Sequence, residues 1–477
     1  MASAPKQATR TTALLEARGL SRLTAVVLAA AAVTGYFQVL HPGLVSLAVL
    51  VVLTVEFIRR MDQGIPLMQI TALIATLQWL IGPSLSYYFG LEHGRHFMYV
   101  RDDFYFQFAL PATSVYVLGI LLFGGVIDQK RLNRTVDRRD FFRVGVTLFG
   151  ISLIAQTVAP SMPGGLAFLF HLCSQLRYVG ALYFLLSDHR YRYFFAVGSV
   201  LPLFFASAES GMFHDLILWL MMLSTYWVAE RSWGLGKKLT FVAVGCICVF
   251  TIQVVKQDYR QKLKAGKNPS LVGEMVGAIT EERFLEDDVL SLATARLNQG
   301  WIISAVMRNV PRHEPFADGE TIRTAFLVAL VPRILWEDKK GAGGQENFMR
   351  FTGLPIERGT SMGISPLGEA YANFGVEGGI LFMAIFGVGF SLLYRFVVRH
   401  VVKHPDLVFW IPLMFYQGIK AETEMIVVVN QLVKGTLVVF VGYYGLKQIL
   451  LPFLFKRRKS QGARRTAQLR PRLAGRQ

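Results

Sequence analysis

The chain alternates long apolar runs with short polar breaks. Runs near the ~20 residues that cross a bilayer as a helix fall at about 23–40, 43–58, 65–90, 104–126, 142–160, 165–187, 193–208, 212–229 and 239–255. Three more follow at about 376–397, 406–419 and 425–449. The eleventh is short, and the third is long enough to be tilted or broken. None shows the alternating signature of a membrane barrel. In lipid every backbone N–H and C=O must be satisfied within its own segment, so continuous apolar runs imply helices. The pattern predicts an all-α polytopic membrane protein with about twelve transmembrane helices.

The polar breaks give the orientation. One set is RRMDQG (59–64), DQKRLNRTVDRRD (128–140), DHRYR (188–192), ERSWGLGKK (230–238) and RHVVKHPD (399–406), all rich in Lys or Arg. The alternate set is HP (41–42), LEHGRHFMYVRDD (91–103), APSMPGG (159–165), AESGM (208–212) and KAETE (420–424), poorer in basic charge and richer in acids. The positive-inside rule then places both termini in the cytoplasm. Lys6, Arg10, Arg18 and Arg22 precede the first run as in a signal peptide, but eleven further runs follow, so a first transmembrane helix is expected. Four regions result: a membrane region of about nine spans at 1–255, an extracytoplasmic loop with short interfacial helices at 256–375, a membrane region of about three spans at 376–455, and a basic tail at 456–477.

Composition agrees. The chain is 53% hydrophobic and 17% charged, whereas soluble domains carry roughly a quarter charged residues. The net charge of +18 suggests nucleic acid at first sight. However, the tail KRRKSQGARRTAQLRPRLAGRQ directly follows an apolar run, where basic residues mark the cytoplasmic side and touch anionic lipid, so no nucleic-acid partner is expected. Cys173, Cys246 and Cys248 lie inside apolar runs, without disulfide or zinc spacing.

Candidate chemistry concentrates toward the extracytoplasmic side. Walker A, Gly-x-Gly-x-x-Gly and His-Glu-x-x-His patterns are absent. Asp287 and Asp288 are too few for a Mg²⁺ or Ca²⁺ site, and no metal or cofactor is expected. Arg177 lies in the sixth run, where a buried guanidinium must face a cavity or a partner. Lys434 lies two to three turns into the last run. Lys256 and Arg260 close the ninth, and Arg296, Arg323 and Arg333 lie in the long loop. Such cations suit a pyrophosphate carried on a lipid, because a multivalent anion needs several donors. Snorkelling, or pairing with Glu209, Asp215, Glu422 or Glu424, is the plainer alternative.

Two further stretches stand out. In ASAESGMFHD (206–215), Glu209, His214 and Asp215 could take a proton from a sugar hydroxyl, or could simply solvate a tight hairpin. In GTSMGISPLGEAYANFGVEGG (359–379), Ser361, Glu369, Tyr371 and Asn373 offer groups that hold sugars. A helix is expected from Ser365 to Phe374, with Ser365 capping and Pro366 in the first turn. The apolar run 322–336 is too short to span and reads as an interfacial helix ended by Pro332, with Trp336 as an interface anchor.

The order ARLNQG (295–300), DGETIRT (318–324), VPRILWEDKK (331–340) and SMGISPLGEAYANFGVEGG (361–379), after nine spans, resembles the Wzy-type polymerases of O-antigen and exopolysaccharide repeat units. That family usually shows Lys-Pro where Lys339-Lys340 stands here, and many members carry an Arg in the hairpin that here holds Glu209 and His214. The resemblance implies an inverting, metal-independent glycosyltransferase of the GT-C type in the bacterial inner membrane. It implies a growing glycan on undecaprenyl pyrophosphate as donor and one lipid-linked repeat unit as acceptor. A flippase and a chain-length regulator are implied as partners. Arg333, Arg296 and Arg177 would stabilise the pyrophosphate leaving group, and Glu369 or His214 would be the base. Arg260, Trp336, Lys339, Ser361, Tyr371, Asn373 and Lys434 would contact substrate. An O-antigen-type ligase shares the donor and is the first alternative. A transporter would show internal repeats and broken helices at the midplane.

Overall fold

The computed structural model describes residues 20–92, 94, 96–124, 127–128, 138–267, 269–280, 287–331, 336, 344–357 and 360–454. Their regular structure is helical apart from one two-residue antiparallel ladder, Gly64–Ile65 against Ile127–Asp128. Among the described residues, eight helices are long and apolar enough to cross a membrane. They are Pro42–Arg60, Leu67–Phe89, Asp102–Phe123, Phe141–Ser161, Arg192–Ser210, Leu235–Lys256, Ser365–Val401 and Met425–Leu454.

The other four apolar runs are helical but shorter or interrupted. The first is Arg22–Phe37 and the eighth His214–Ala229, each of 16 residues. The sixth is split at Gln175 into Gly164–Ser174 and Leu176–Leu185. The eleventh is a 3₁₀ segment, Pro405–Trp410, followed by Ile411–Ile419. Apolar periodicity alone does not reveal such interruptions.

Burial separates central from peripheral helices. Leu67–Phe89 and Asp102–Phe123 are mostly enclosed by protein, whereas Arg192–Ser210 and Leu235–Lys256 are mostly uncovered. On Arg192–Ser210, Phe194, Val197, Leu201 and Phe205 recur at helical spacing and are exposed, as expected of a face meant for acyl chains. At the centre, Asp102–Phe123 and Ser365–Val401 touch backbone to backbone. A Cβ on Gly119 would stand 2.9 Å from the Val388 nitrogen, and one on Gly387 would press on the Tyr116 carbonyl. Ser391 Oγ donates to the Gly119 carbonyl over 3.0 Å. Small residues permit this approach where water supplies no hydrophobic drive between helices.

The Ser365–Val401 helix is broken at Gly375, which takes φ 65° and ψ −154°. This separates a buried ten-residue piece, 365–374, from a long apolar rod. Ser365 has φ 65°, and its Oγ accepts the Gly368 N–H at 3.2 Å, with Pro366 in the first turn. The start and end of this piece are where the residue types expect them.

The region between Lys256 and Gly375 is built largely of helices. The Leu235–Lys264 helix runs two turns beyond Lys256, and Leu271–Thr280, Asp287–Leu297, Gly300–Asn309, Glu320–Leu330 and Gln345–Thr352 follow. Gly300–Asn309 is almost wholly buried, including Trp301, Ile303 and Val306. Ten residues are too few to span but enough to fill a core. Glu320–Leu330 buries Ala325, Val328 and Ala329 against Met425, Ile426 and Val429, while Phe326, Leu327 and Leu330 remain exposed. It ends before Pro332, as the restriction on pre-proline residues demands. Arg350 fastens this region by bonding Glu314 at 2.5 Å and Glu320 at 3.1 Å. Partial burial alone would lower its pKa; the hydrogen bonds and charges of the two carboxylates instead hold the guanidinium above its ordinary value.

Candidate functional site

Several helix ends meet at one end of the assembly and bring together cations that are far apart in sequence. The Leu235–Lys264 helix carries Lys256 and, one turn on, Arg260. The Asp287–Leu297 helix delivers Arg296, whose Nη1 donates to the Gln253 carbonyl one turn before Lys256. Lys256 therefore feels the like charges of Arg296 and Arg260 and the opposite charge of Glu422. The Arg260 stem lies over Gly211, which has φ 65° and no room for a Cβ. The 206–215 hairpin and the Lys256 helix are thus fitted to each other.

The short connection 420–424 supplies the rest. Lys420 Nζ pairs with Asp215 Oδ1 at 2.7 Å and lies 4.5 Å from the centre of the Tyr416 ring. Glu422 Oε1 is 3.2 Å from His214 Nδ1. A carboxylate on Nδ1 favours the tautomer protonated there and leaves Nε2 with its lone pair. His214 Nε2 is buried and meets no hydrogen-bonding partner among the described residues. The charges of Lys420, Asp215 and Lys256 all act on the imidazole. Arg177 adjoins this mouth. It donates to Gln156 Oε1 at 2.8 Å and stacks on Tyr178, and its charge reaches His171, as do those of Asp215 and Lys420.

A second constellation holds the 420–424 connection in place. Glu369 is 1% exposed, and both its oxygens are engaged. Oε1 accepts the Met425 N–H at 2.7 Å, and Oε2 accepts the Thr321 hydroxyl at 2.8 Å. Asn373 Nδ2 donates to Thr321 Oγ1 at 2.7 Å and to the Glu369 carbonyl at 2.8 Å. A Cβ on Gly363 would stand 2.9 Å from the Glu422 carbonyl, so the 361–363 stretch lies against the same connection. Beside this network is a small recess lined in part by Glu320, Thr321, Asn347 and Glu424, which offer acceptors and an amide.

The residues singled out in the sequence therefore divide. Arg296, Arg260 and His214 come together with Lys256, and Arg177 adjoins them. Glu369 and Asn373 form a closed internal network. Tyr371 is buried among Phe108, Phe316 and Phe104. Ser361 is exposed. Trp336 packs on the cluster of Ala325, Val328 and Met425. Lys434 lies elsewhere, 5.1 Å from the centre of the Phe168 ring. Arg333, Lys339 and the basic tail lie outside the described residues. Lys420, with its partner Asp215, is the functional candidate the sequence reading passed over. Its signal was a lone Lys opening an acid-rich connection after a short apolar run. Among the described residues there is no group of three or more His, Cys, Asp or Glu placed to hold a metal ion. Comparison with protein-family models, curated proteins and solved structures found no match to this chain.

Proposed function

We propose that this chain is a membrane glycosyltransferase that polymerises lipid-linked oligosaccharide repeat units at the extracytoplasmic face. The observation that carries the reading is the geometry that gathers Lys256, Arg260 and Arg296 beside the His214–Glu422 pair, with the Arg296 guanidinium on the Gln253 carbonyl and the Arg260 stem over Gly211. Three cations near one another offer the several donors that a pyrophosphate with several acceptor oxygens needs. The order of motifs from 295 to 379 supports the same class, and apolar faces around the mouth suit polyprenyl tails.

In the reaction a hydroxyl oxygen of the acceptor sugar attacks the anomeric carbon of the donor. The bond from that carbon to the pyrophosphate oxygen breaks, and the electron pair leaves on the pyrophosphate. Arg296, Arg260 and Lys256 stabilise the growing charge. His214 Nε2, which entry of the acceptor must uncover, takes the hydroxyl proton, while Glu422 orients the ring and steadies the imidazolium. Glu369, with both oxygens engaged, acts through position, by fixing the start of the Met425–Gly445 helix next to Glu422. The recess at Thr321, Asn347 and Glu424 would bind sugar hydroxyls.

The test is the lipid-linked glycan profile of a deletion strain, complemented with wild type, Arg296→Ala or His214→Gln. Accumulation of single repeat units without the gene, and restoration of the polymer ladder by wild type alone, is expected. Normal ladder length with unattached polymer would instead indicate a ligase. An unchanged profile on deletion would refute both.

A further inference from the structure

Besides Lys256 and Arg260 on the Leu235–Lys264 helix, the mouth takes Arg296 and Lys420 from two separate segments, 296–300 and 420–422, and both of these are fastened to one irregular turn of a central helix. The Leu67–Phe89 helix is interrupted by a π-helical turn, Leu77–Ile81, where the Gly82 N–H reaches back to the Leu77 carbonyl. A π turn puts an extra residue into the ladder, which frees backbone groups for outside partners. Here the Gln78 carbonyl accepts the Gln299 N–H at 3.0 Å. The Trp79 indole N–H donates to the Ala421 carbonyl at 3.2 Å. Arg296 lies three residues before Gln299, and Lys420 and Glu422 flank Ala421.

Steric fit reinforces the first attachment. A Cβ on Gly82 would stand 2.6 Å from the Asn298 Cα, a contact between backbones that no side-chain rotation could relieve. Asn298 is fully buried and donates to Ser86 Oγ at 2.8 Å on the same helix. A helix irregularity serving only to fill space would not need to meet both cation-bearing segments, each by a directional bond within three residues of a charge.

We propose that the π turn is the positioning element of the anion site, with Trp79 setting Lys420 and Glu422, and Gly82 and Gln78 setting Arg296. The inference rests on the pyrophosphate reading of the mouth. It adds that affinity for the anion is controlled by neutral residues that never touch it.

The test uses the full-length chain in lipid nanodiscs, titrated with inorganic pyrophosphate and with farnesyl pyrophosphate. Trp79→Phe keeps an aromatic ring and removes the indole N–H together with part of the buried ring volume. We expect it to weaken both probes about fivefold to tenfold, the scale of one buried hydrogen bond lost. In a Lys420→Gln background the same change should have little further effect, because Trp79 acts through that segment. Gly82→Ala should weaken binding in wild type but add little in an Arg296→Gln background. This second cycle stands if Trp79→Phe does not fold. Wild-type affinity in Trp79→Phe, or an undiminished loss in the Lys420→Gln background, would overturn the Trp79 role. A loss confined to farnesyl pyrophosphate would also overturn it, since the effect would then belong to the tail. If wild type bound neither probe, the pyrophosphate reading itself would fall, and the inference with it.

Discussion

Glu369 offers a sharp contrast between a chemical and a positional role. Replacing it with Ala would leave the Met425 N–H and the Thr321 hydroxyl without their acceptor at a position where the Glu369 side chain is buried. Each buried polar group left unmade costs about 1–3 kcal/mol. The cavity left by the side chain adds a further cost, so a total of about 3–6 kcal/mol is expected. Glu369→Gln keeps one carbonyl oxygen for Met425 but turns an amide toward Thr321 Oγ1, which already accepts from Asn373. That variant should lose about 1–3 kcal/mol. The assay is thermal unfolding of the purified protein in nanodiscs, where Ala should lower the midpoint by several degrees and Gln by less. Glycan transfer by Glu369→Gln below its midpoint should persist, because a positional group is only partly compromised. A Glu369→Ala protein as stable as wild type would refute the structural account. A Glu369→Gln protein of unchanged stability that made no polymer would restore Glu369 as the base.

Three further outcomes are expected. His214→Gln should slow transfer by about 10²–10⁴-fold, the usual worth of a general base, while pyrophosphate binding falls little; full transfer rates in the polymer-ladder assay would exclude His214. Gly387→Val should force apart the helices that meet at Tyr116 and deplete folded protein in membrane fractions, and normal yield with normal thermal stability would contradict the close approach. A reporter fused after Gln477 should be cytoplasmic, and labelling of it by a reagent that cannot cross the membrane would reverse the orientation and the placement of the mouth.

The two levels of description agree where local chemistry decides the structure. The helix from Ser365 to Phe374 was legible because Ser-Pro starts it and Gly375 allows the break that ends it. Apolar runs marked the eight helices long enough to cross a membrane near their places, since lipid leaves the backbone little alternative. The interruption at Gln175 was not legible, because nothing in its residue types forbids a continuous helix, whereas Pro405 and Pro412 are breakers that mark the second one. The π turn was equally hidden. The length of the third run allowed for a break, but the residue types of Leu77–Ile81 do not place it, and Asn298 and Gln299, which dock there, lie about two hundred residues on. The candidate site was visible as residue types but not as a set. Arg260, Arg296 and His214 were distinguishable from Tyr371 and Asn373 only once packing showed which face the mouth and which face the interior.

That division bears on how the mouth can exist at all. Lys256, Arg260 and Arg296 repel one another, so their own interactions favour separation rather than assembly. The Glu422 carboxylate offsets part of that repulsion at Lys256, and contacts with no net charge at stake add to that offset. Those contacts are the Gly82–Asn298 backbone fit, the Gln299–Gln78 and Trp79–Ala421 hydrogen bonds, and the buried Gly300–Asn309 helix behind them. Lys420 is different, because Asp215 neutralises it directly. The mouth thus combines Lys420, which Asp215 pairs directly, with a cluster of three cations that offers an anion several donors at once. The clustered set has the more to gain from an arriving anion, so substitution there should change affinity more than substitution of Lys420. If the Lys420→Gln protein lost more pyrophosphate affinity than Arg296→Gln, the anion would have to be placed nearer to Asp215 than to Lys256.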